Sequence, residues 1–320
     1  RLITVGQAGG APGDITLTAQ VTDLSGLSPV DVFPADDVVV RVGAAELRGG
    51  AIEITANRTS MTGSPMTIVS VQSKTATIDL KNAVISGSEV FIEASAEDQS
   101  LFDSPGGNIF SNYLLTPLLN YGDVIGLLMG SIPIAGAALQ AVSVSVRTAE
   151  SYVTLDGASI QSTGNVTIHT STSVESAASA GGGIDLTKPK RGNSTASQLA
   201  NSAPYAVSYA EADAVAETVL SGCTTIAAGG TVTVGSDAEN GVSAQSYTAA
   251  NSAPGGKKTK TNTSVGATSI AVTNASTTSL TTVDSSVVIT AGGNANIAAV
   301  GQVENSADSG VSIFVDGFGG

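Results

Sequence analysis

One short phrase recurs along this chain, and it confines the fold to a narrow architectural class. At residues 153–170 the sequence reads Val-Thr-Leu-Asp-Gly-Ala-Ser-Ile-Gln-Ser-Thr-Gly-Asn-Val-Thr-Ile-His-Thr, two alternating runs hinged at Gly164. Alternation puts Val166, Ile168 and Thr170 on one face of a strand, and Asn165, Thr167 and His169 on the other. The phrase returns at Gly230 and Gly293, and in looser form at Gly13, Gly50 and Ser88. Successive hinges are 37, 38, 76, 66 and 63 residues apart. A repeat of this kind marks a stacked array, in which each unit buries its open face against the next.

The irregular spacing has one phase. Gly/Pro punctuation follows the hinges at Gly63-Ser-Pro, Ser104-Pro-Gly-Gly, Ala180-Gly-Gly-Gly and Ala253-Pro-Gly-Gly. After the long spacers the chain resumes as alternating strand, beginning near Ala141, Ala206 and Ser264. Extra chain at one phase suits a solenoid, whose corners can extrude loops without breaking the ladders. The expectation is all-β: one continuous parallel β-solenoid over residues 1–320, a segment of a longer protein. Loop inserts are expected at 180–195 and 252–263, and a larger one at 104–140. Right-handed winding is the default for parallel crossovers. Residue count per coil stays open, since a unit of 37–38 residues fits one long coil or two short ones. Inward positions are expected to repeat as Val, Ile, Leu and Ala, and outward ones as Thr, Ser and Asn.

Composition narrows the core. Of 320 residues, 42% are hydrophobic but only 4% aromatic, with no Trp, so small and β-branched side chains must fill a thin interior. A string of immunoglobulin-like sandwiches is the competing all-β reading. The unit is too short for seven strands and lacks a Cys-Trp-Cys core. Charged residues are 12% of the chain, against about 25% in ordinary domains, so Ser, Thr, Asn and Gly must carry the surface. A net charge of −14 argues against nucleic acid or an anionic membrane as partner.

Residues 108–140 break the pattern. They hold Phe110, Tyr113 and Tyr121, and no charge occurs from Val124 to Val146. The length raises a transmembrane helix, but Pro133 and three glycines interrupt it. Three readings stay open: a short helix or flap packed on the solenoid, a partner-docking surface, and membrane insertion. Two other spacers carry basic runs, Lys188, Lys190 and Arg191 in one and Lys257, Lys258 and Lys260 in the other. Stacking would put them on one ridge, as solvated loop tips or as a contact for an acidic protein or glycan.

Catalytic chemistry finds little footing. The single His169 falls on an outward face, and a Ser-His-Asp or Cys-His site has no second histidine to draw on. No zinc set can be assembled. Asp36-Asp37 and Glu97-Asp98 are paired acids expected in loops, with spacing suited at most to weak calcium binding. The lone Cys223 is expected as a small buried or half-buried side chain. Sugar-cleaving β-helix enzymes share the expected architecture but need carboxylates converging on a groove. Here Glu53, Glu89 and Glu93 read as scattered outward singles. The expectation is therefore no enzyme, no metal and no cofactor.

The run Gly136-Ala-Ala-Leu-Gln-Ala-Val-Ser-Val-Ser-Val, followed by Tyr152-Val-Thr-Leu-Asp-Gly-Ala-Ser-Ile-Gln-Ser-Thr-Gly-Asn-Val-Thr-Ile, resembles the repeat of giant secreted bacterial proteins. These are the filamentous-haemagglutinin-like and leukotoxin-type filamentous adhesins. The copies at Gly230 and Gly293 keep the Ala-Gly-Gly of that repeat. The resemblance covers most of the chain and names an architecture, with no catalytic residue to carry over. It implies an extracellular or cell-surface β-helical rod acting in adhesion, bound to a surface glycan or protein receptor. The alternative is a filament subunit that associates with itself, either end to end or side by side.

Overall fold

Strand ladders account for the whole described structure. The computed structural model describes residues 2–4, 13–25, 30–32, 36–62, 69–100, 142–185, 205–252 and 268–315, and among them are eighteen strands and no helix. They form three six-stranded sheets, and every pairing is parallel.

A short sheet holds β1 (Leu2–Thr4), β5 (Glu46–Arg48), β8 (Val84–Gly87), β11 (Ser159–Ser162), β14 (Thr225–Ala228) and β17 (Val288–Ala291). An outgoing long sheet holds β2 (Ile15–Ser25), β6 (Ala51–Thr62), β9 (Glu89–Ser100), β12 (Val166–Asp185), β15 (Val232–Ser252) and β18 (Ala295–Val315). A returning long sheet holds β3 (Val30–Val32), β4 (Asp36–Val42), β7 (Val69–Lys81), β10 (Val142–Asp156), β13 (Tyr205–Ser221) and β16 (Thr268–Val283). Each coil runs returning strand, short strand, outgoing strand, then crosses back. The chain is thus a parallel β-solenoid, and the 37–38-residue unit is one three-stranded coil.

The predicted hinges form one column along the stack. Gly50 N–H donates to the Gly13 carbonyl, Ser88 to Gly50, Gly164 to Ser88, Gly230 to Gly164 and Gly293 to Gly230, at 2.8–2.9 Å. Crowding explains the glycine at the organising hinge: a Cβ on Gly164 would lie 2.6 Å from the Ser88 carbonyl oxygen. Beside this column, Ile15, Ile52, Val90, Val166, Val232 and Ala295 stack in register. Long spacers leave only where the outgoing sheet crosses to the returning one, as their common phase predicted.

Near the short sheet the cross-section is triangular. Leu47, Ile85, Ile160 and Ile226 of that sheet pack against Ile78, Leu80, Val153, Leu155 and Leu220 of the returning sheet. Ile54, Ile92, Ile168 and Val234 of the outgoing sheet close the triangle. Burying each such side chain contributes about 1.5–3 kcal/mol.

Farther from the corner the two long sheets face each other directly, and the interior becomes Ala, Ser and Thr. Side chains there reach the opposite backbone. Thr172 Oγ1 donates to the Val215 carbonyl at 2.7 Å, and Thr218 Oγ1 to Gly235 at 2.8 Å. Asn240 Nδ2 bridges the carbonyls of Ala212 and Ser276, each at 2.8 Å. A hydroxyl two bonds from Cα can touch the facing backbone only when the sheets are closer than the usual separation of about 10 Å.

Several expectations need correcting. Gly181–Gly183, read as a turn, lie within β12, where pairing with Tyr247–Ala249 of β15 holds them extended. Asp36-Asp37 and Glu97-Asp98 are strand residues rather than loops. Cys223 is exposed rather than buried. The turn from β13 to β14 has one residue more than the turn from β10 to β11, and Thr224 takes the buried place equivalent to Ala158. Cys223 is extruded with φ 61°. The expected inserts at 104–140 and 252–263 lie outside the described residues, apart from Ser252 at the end of β15, as does the 186–195 part of the third.

Column packing makes a graded prediction. Gly164→Ala drives a methyl group into the neighbouring coil's backbone and should lower stability by about 1–3 kcal/mol. Gly241→Ala meets only ordinary contacts, the nearest at 3.7 Å, and should be neutral or stabilising by up to about 1 kcal/mol. Thermal unfolding of the two variants beside the unaltered chain checks the ordering.

Candidate functional site: the outer faces of the long sheets

All nine residues expected to form an interaction surface lie outside the described residues. These are Phe110, Tyr113, Tyr121, Lys188, Lys190, Arg191, Lys257, Lys258 and Lys260. The described structure directs attention to three other groupings.

The first is internal. Between the long sheets, in the early coils, five charged side chains replace the usual Ala and Ser. Arg147 of β10 and Asp98 of β9, both buried, pair across the sheets at 2.7 Å. Buried Arg58 of β6 pairs with Asp23 of β2, and Lys74 Nζ of β7 lies 3.6 Å from the same carboxylate. Burial pushes Asp98 above the usual carboxylate range, against the pull of Arg147 and Lys74. Arg58 holds Asp23 below that range. In later coils the positions of Arg147 and Asp98 become Ala212 and Asn240, which are themselves hydrogen-bonded. These ions tie facing sheets together and are not open to a substrate.

The second lies on the outgoing sheet's outer face. His169 of β12 sits between neighbouring coils, with Nδ1 3.6 Å from Glu93 Oε1 of β9 and Nε2 3.1 Å from Asp237 Oδ2 of β15. Gly235 is the residue in register with it, and a Cβ there would make ordinary contact with the imidazole at 3.4 Å. Hydrogen bonding to Glu93 raises the His169 pKa above its ordinary 6.5, burial opposes this, and Asp237 adds to the rise. The sequence placed His169 outward, as observed, but treated it as solitary. Its partners are 76 residues before it and 68 after it in the chain, so only the coil register brings them together. The two carboxylates address opposite ring nitrogens, an arrangement that clasps coils and cannot converge on one ion. Among the described residues no group of three or more His, Cys, Asp or Glu is placed to hold a metal.

The third is an apolar band on the returning sheet's outer face. Val69, Val144, Tyr209 and Val272 are in register across β7, β10, β13 and β16. Val142, Val207 and Ile270 flank them on one side, and Val71 and Val146 on the other. This reverses the expected pattern, because Ser143, Ser145 and Ser208 point inward and the larger side chains outward. Parity explains the reversal: Val153 and Leu155 at the far end of β10 are buried, so every odd-numbered residue of that strand faces in. That parity was readable in the sequence, from the spacing between Val146 and Val153.

Next to the band the face turns acidic. Tyr209 Oη donates to Glu211 Oε2 at 2.5 Å. The Tyr152 hydroxyl is pushed up to about 12, mainly by burial and then by Glu150, Glu217 and Asp213. Of the scattered acids, Glu53 and Glu89 both line a shallow groove with Phe91, while Glu93 belongs to the histidine clasp. A second shallow groove lies at Ser86, Gln161 and Ala228.

Two measurements test the ionic groupings. Arg147→Met strands a buried carboxylate and should cost about 3–5 kcal/mol, whereas Arg147→Met with Asp98→Asn should recover most of the loss; denaturant unfolding separates them. His169, with its raised pKa, adds stability that is fully present below 6.5 and is lost as pH rises through the folded-state value. Asp237 is 56% exposed, so solvent screening limits the effect to less than about 1 kcal/mol. The unfolding midpoint should fall slightly as pH rises above 6.5 and through the folded-state value, and His169→Gln should remove that component.

Compared with known proteins, the chain matches no family model, no curated protein and no solved structure.

Proposed function

We propose that this chain is a rigid rod segment of a large secreted or cell-surface bacterial protein, and that it acts in adhesion. The observation that carries this reading is the unbroken parallel ladder through successive coils, with hinge residues bonded head to tail along the axis. Such an array transmits position and load over distance, because each coil is fixed by its neighbours. Its described surface is broad and finely corrugated, with only shallow grooves. Extended surfaces of this kind suit contact with another surface better than enclosure of a small substrate. The repeat phrase around Gly164 supports the same assignment through its likeness to filamentous surface proteins.

The partner chemistry follows from charge and composition. Ser, Thr and Asn rows offer hydrogen bonds to a glycan or a protein receptor, while the net charge of −14 repels polyanions. Small-angle scattering should show an elongated particle, and the monomeric rod should bind immobilised glycans or host-surface proteins in a saturable way. Polymerisation with rising concentration, seen by electron microscopy and without such binding, would assign the chain to filament building instead. Turnover of an acidic polysaccharide, lost on Glu53→Gln or Glu89→Gln, would overturn both readings.

A further inference from the structure

We propose that the two shallow grooves beside the hinge column form one binding track for an uncharged, unbranched glycan that lies along the axis of the rod. This rests on the surface-rod reading and gives that rod a ligand class and a site.

The first groove runs along the stack. Ser86, Gln161 and Ala227 line it from three successive coils, in register on the outer face of the short sheet. Glycine stands in it for a steric reason. A Cβ on Gly87 would lie 2.6 Å from the Gly50 carbonyl oxygen, and one on Gly229 would lie 2.2 Å from that of Thr163. Coil stacking therefore keeps side chains out of the groove at these positions, while Gln161 and Thr163 stand exposed beside them.

The second groove adjoins the first. Glu53, Glu89 and Phe91 line it on the outgoing sheet, and exposed Ser88 joins Gly87 of one groove to Glu89 of the other. Together the grooves draw on four successive coils, those of β6, β9, β12 and β15. Neighbouring coils are about 4.8 Å apart, close to the length of one sugar ring in an extended polysaccharide. An axial glycan would thus set about one sugar on each coil.

Chemistry selects the ligand class. Phe91 is a half-buried aromatic ring on an outer face, and such a ring packs against the C–H face of a sugar. Glu53 and Glu89 can accept strong hydrogen bonds from hydroxyls, and the Gln161 amide both donates and accepts. No Lys or Arg is among the described residues lining either groove, and the two carboxylates repel an acidic glycan. A polypeptide fits less well. Strands β8 and β11 are each paired on both sides, so neither offers a backbone edge to an added strand.

Calorimetric titration of the whole chain tests this, with neutral linear gluco-, manno- and galacto-oligosaccharides of graded length as probes. A uronic-acid series, an amino-sugar series and immobilised host-surface proteins serve as the comparison. Affinity for at least one neutral series should rise with length up to about four sugars, the number of coils in the track, and then level off. Phe91→Ala and Gln161→Ala should each weaken that binding severalfold. Gln161 is exposed, so its variant keeps the test decisive if Phe91→Ala destabilises the fold. Neutral-glycan binding unaltered by both substitutions overturns the site and leaves the rod reading standing. Binding confined to charged oligosaccharides or to proteins does the same. Binding to none of these overturns the site and the adhesive reading together.

Discussion

The parallel hydrogen-bonded ladder between successive coils is the constraint from which the rest follows. Once Gly164 donates to Ser88 and accepts from Gly230, every residue of that coil is placed above a defined residue of the next. Side chains then stack by type. Ile15, Ile52, Val90, Val166 and Val232 become a single apolar column because a shift of one residue would turn the whole column outward. Glycine recurs at the corner for the same reason, since the neighbouring coil's carbonyl occupies the place of a Cβ.

Away from the short sheet, the ladder brings the two long sheets close together, and most interior side chains are small or polar, with Val174 and Val242 buried among them. Strand parity puts Ser145 and Ser208 inside and Val144 and Val207 outside. Several of the buried polar side chains find partners there, whereas Ser70 Oγ and Ser208 Oγ have none among the described residues. Thr172, Thr218 and Asn240 donate to carbonyls of the facing sheet, which removes most of the cost of burying them. In the early coils long charged side chains serve in place of these short polar ones. The Arg147–Asp98 pair is costly to desolvate, and it specifies which parts of the sheets face each other more than it adds to net stability.

The outer faces divide the same way. On the outgoing sheet, register turns three distant residues, Glu93, His169 and Asp237, into a clasp across coils. On the returning sheet, register gathers two or three apolar residues from each strand into a continuous band with carboxylates beside it. Neither grouping has a deep cleft. This is the physical basis for reading the chain as a rod with contact faces.

The sequence by itself determined the coil. Hinge spacing, alternation around Gly164 and the common phase of the spacers were enough to predict the parallel ladder, the stacked Val/Ile column and the crossing at which extra chain leaves. These features are local and periodic, so they survive in one dimension. Tertiary structure alone decided what depends on distance between sheets and on partners a coil away. It set the burial of Asp98 against Arg147, the extrusion of Cys223 and the pairing of His169 with two acids. Each rests on contacts between residues tens of positions apart, which alternation within a single strand does not encode.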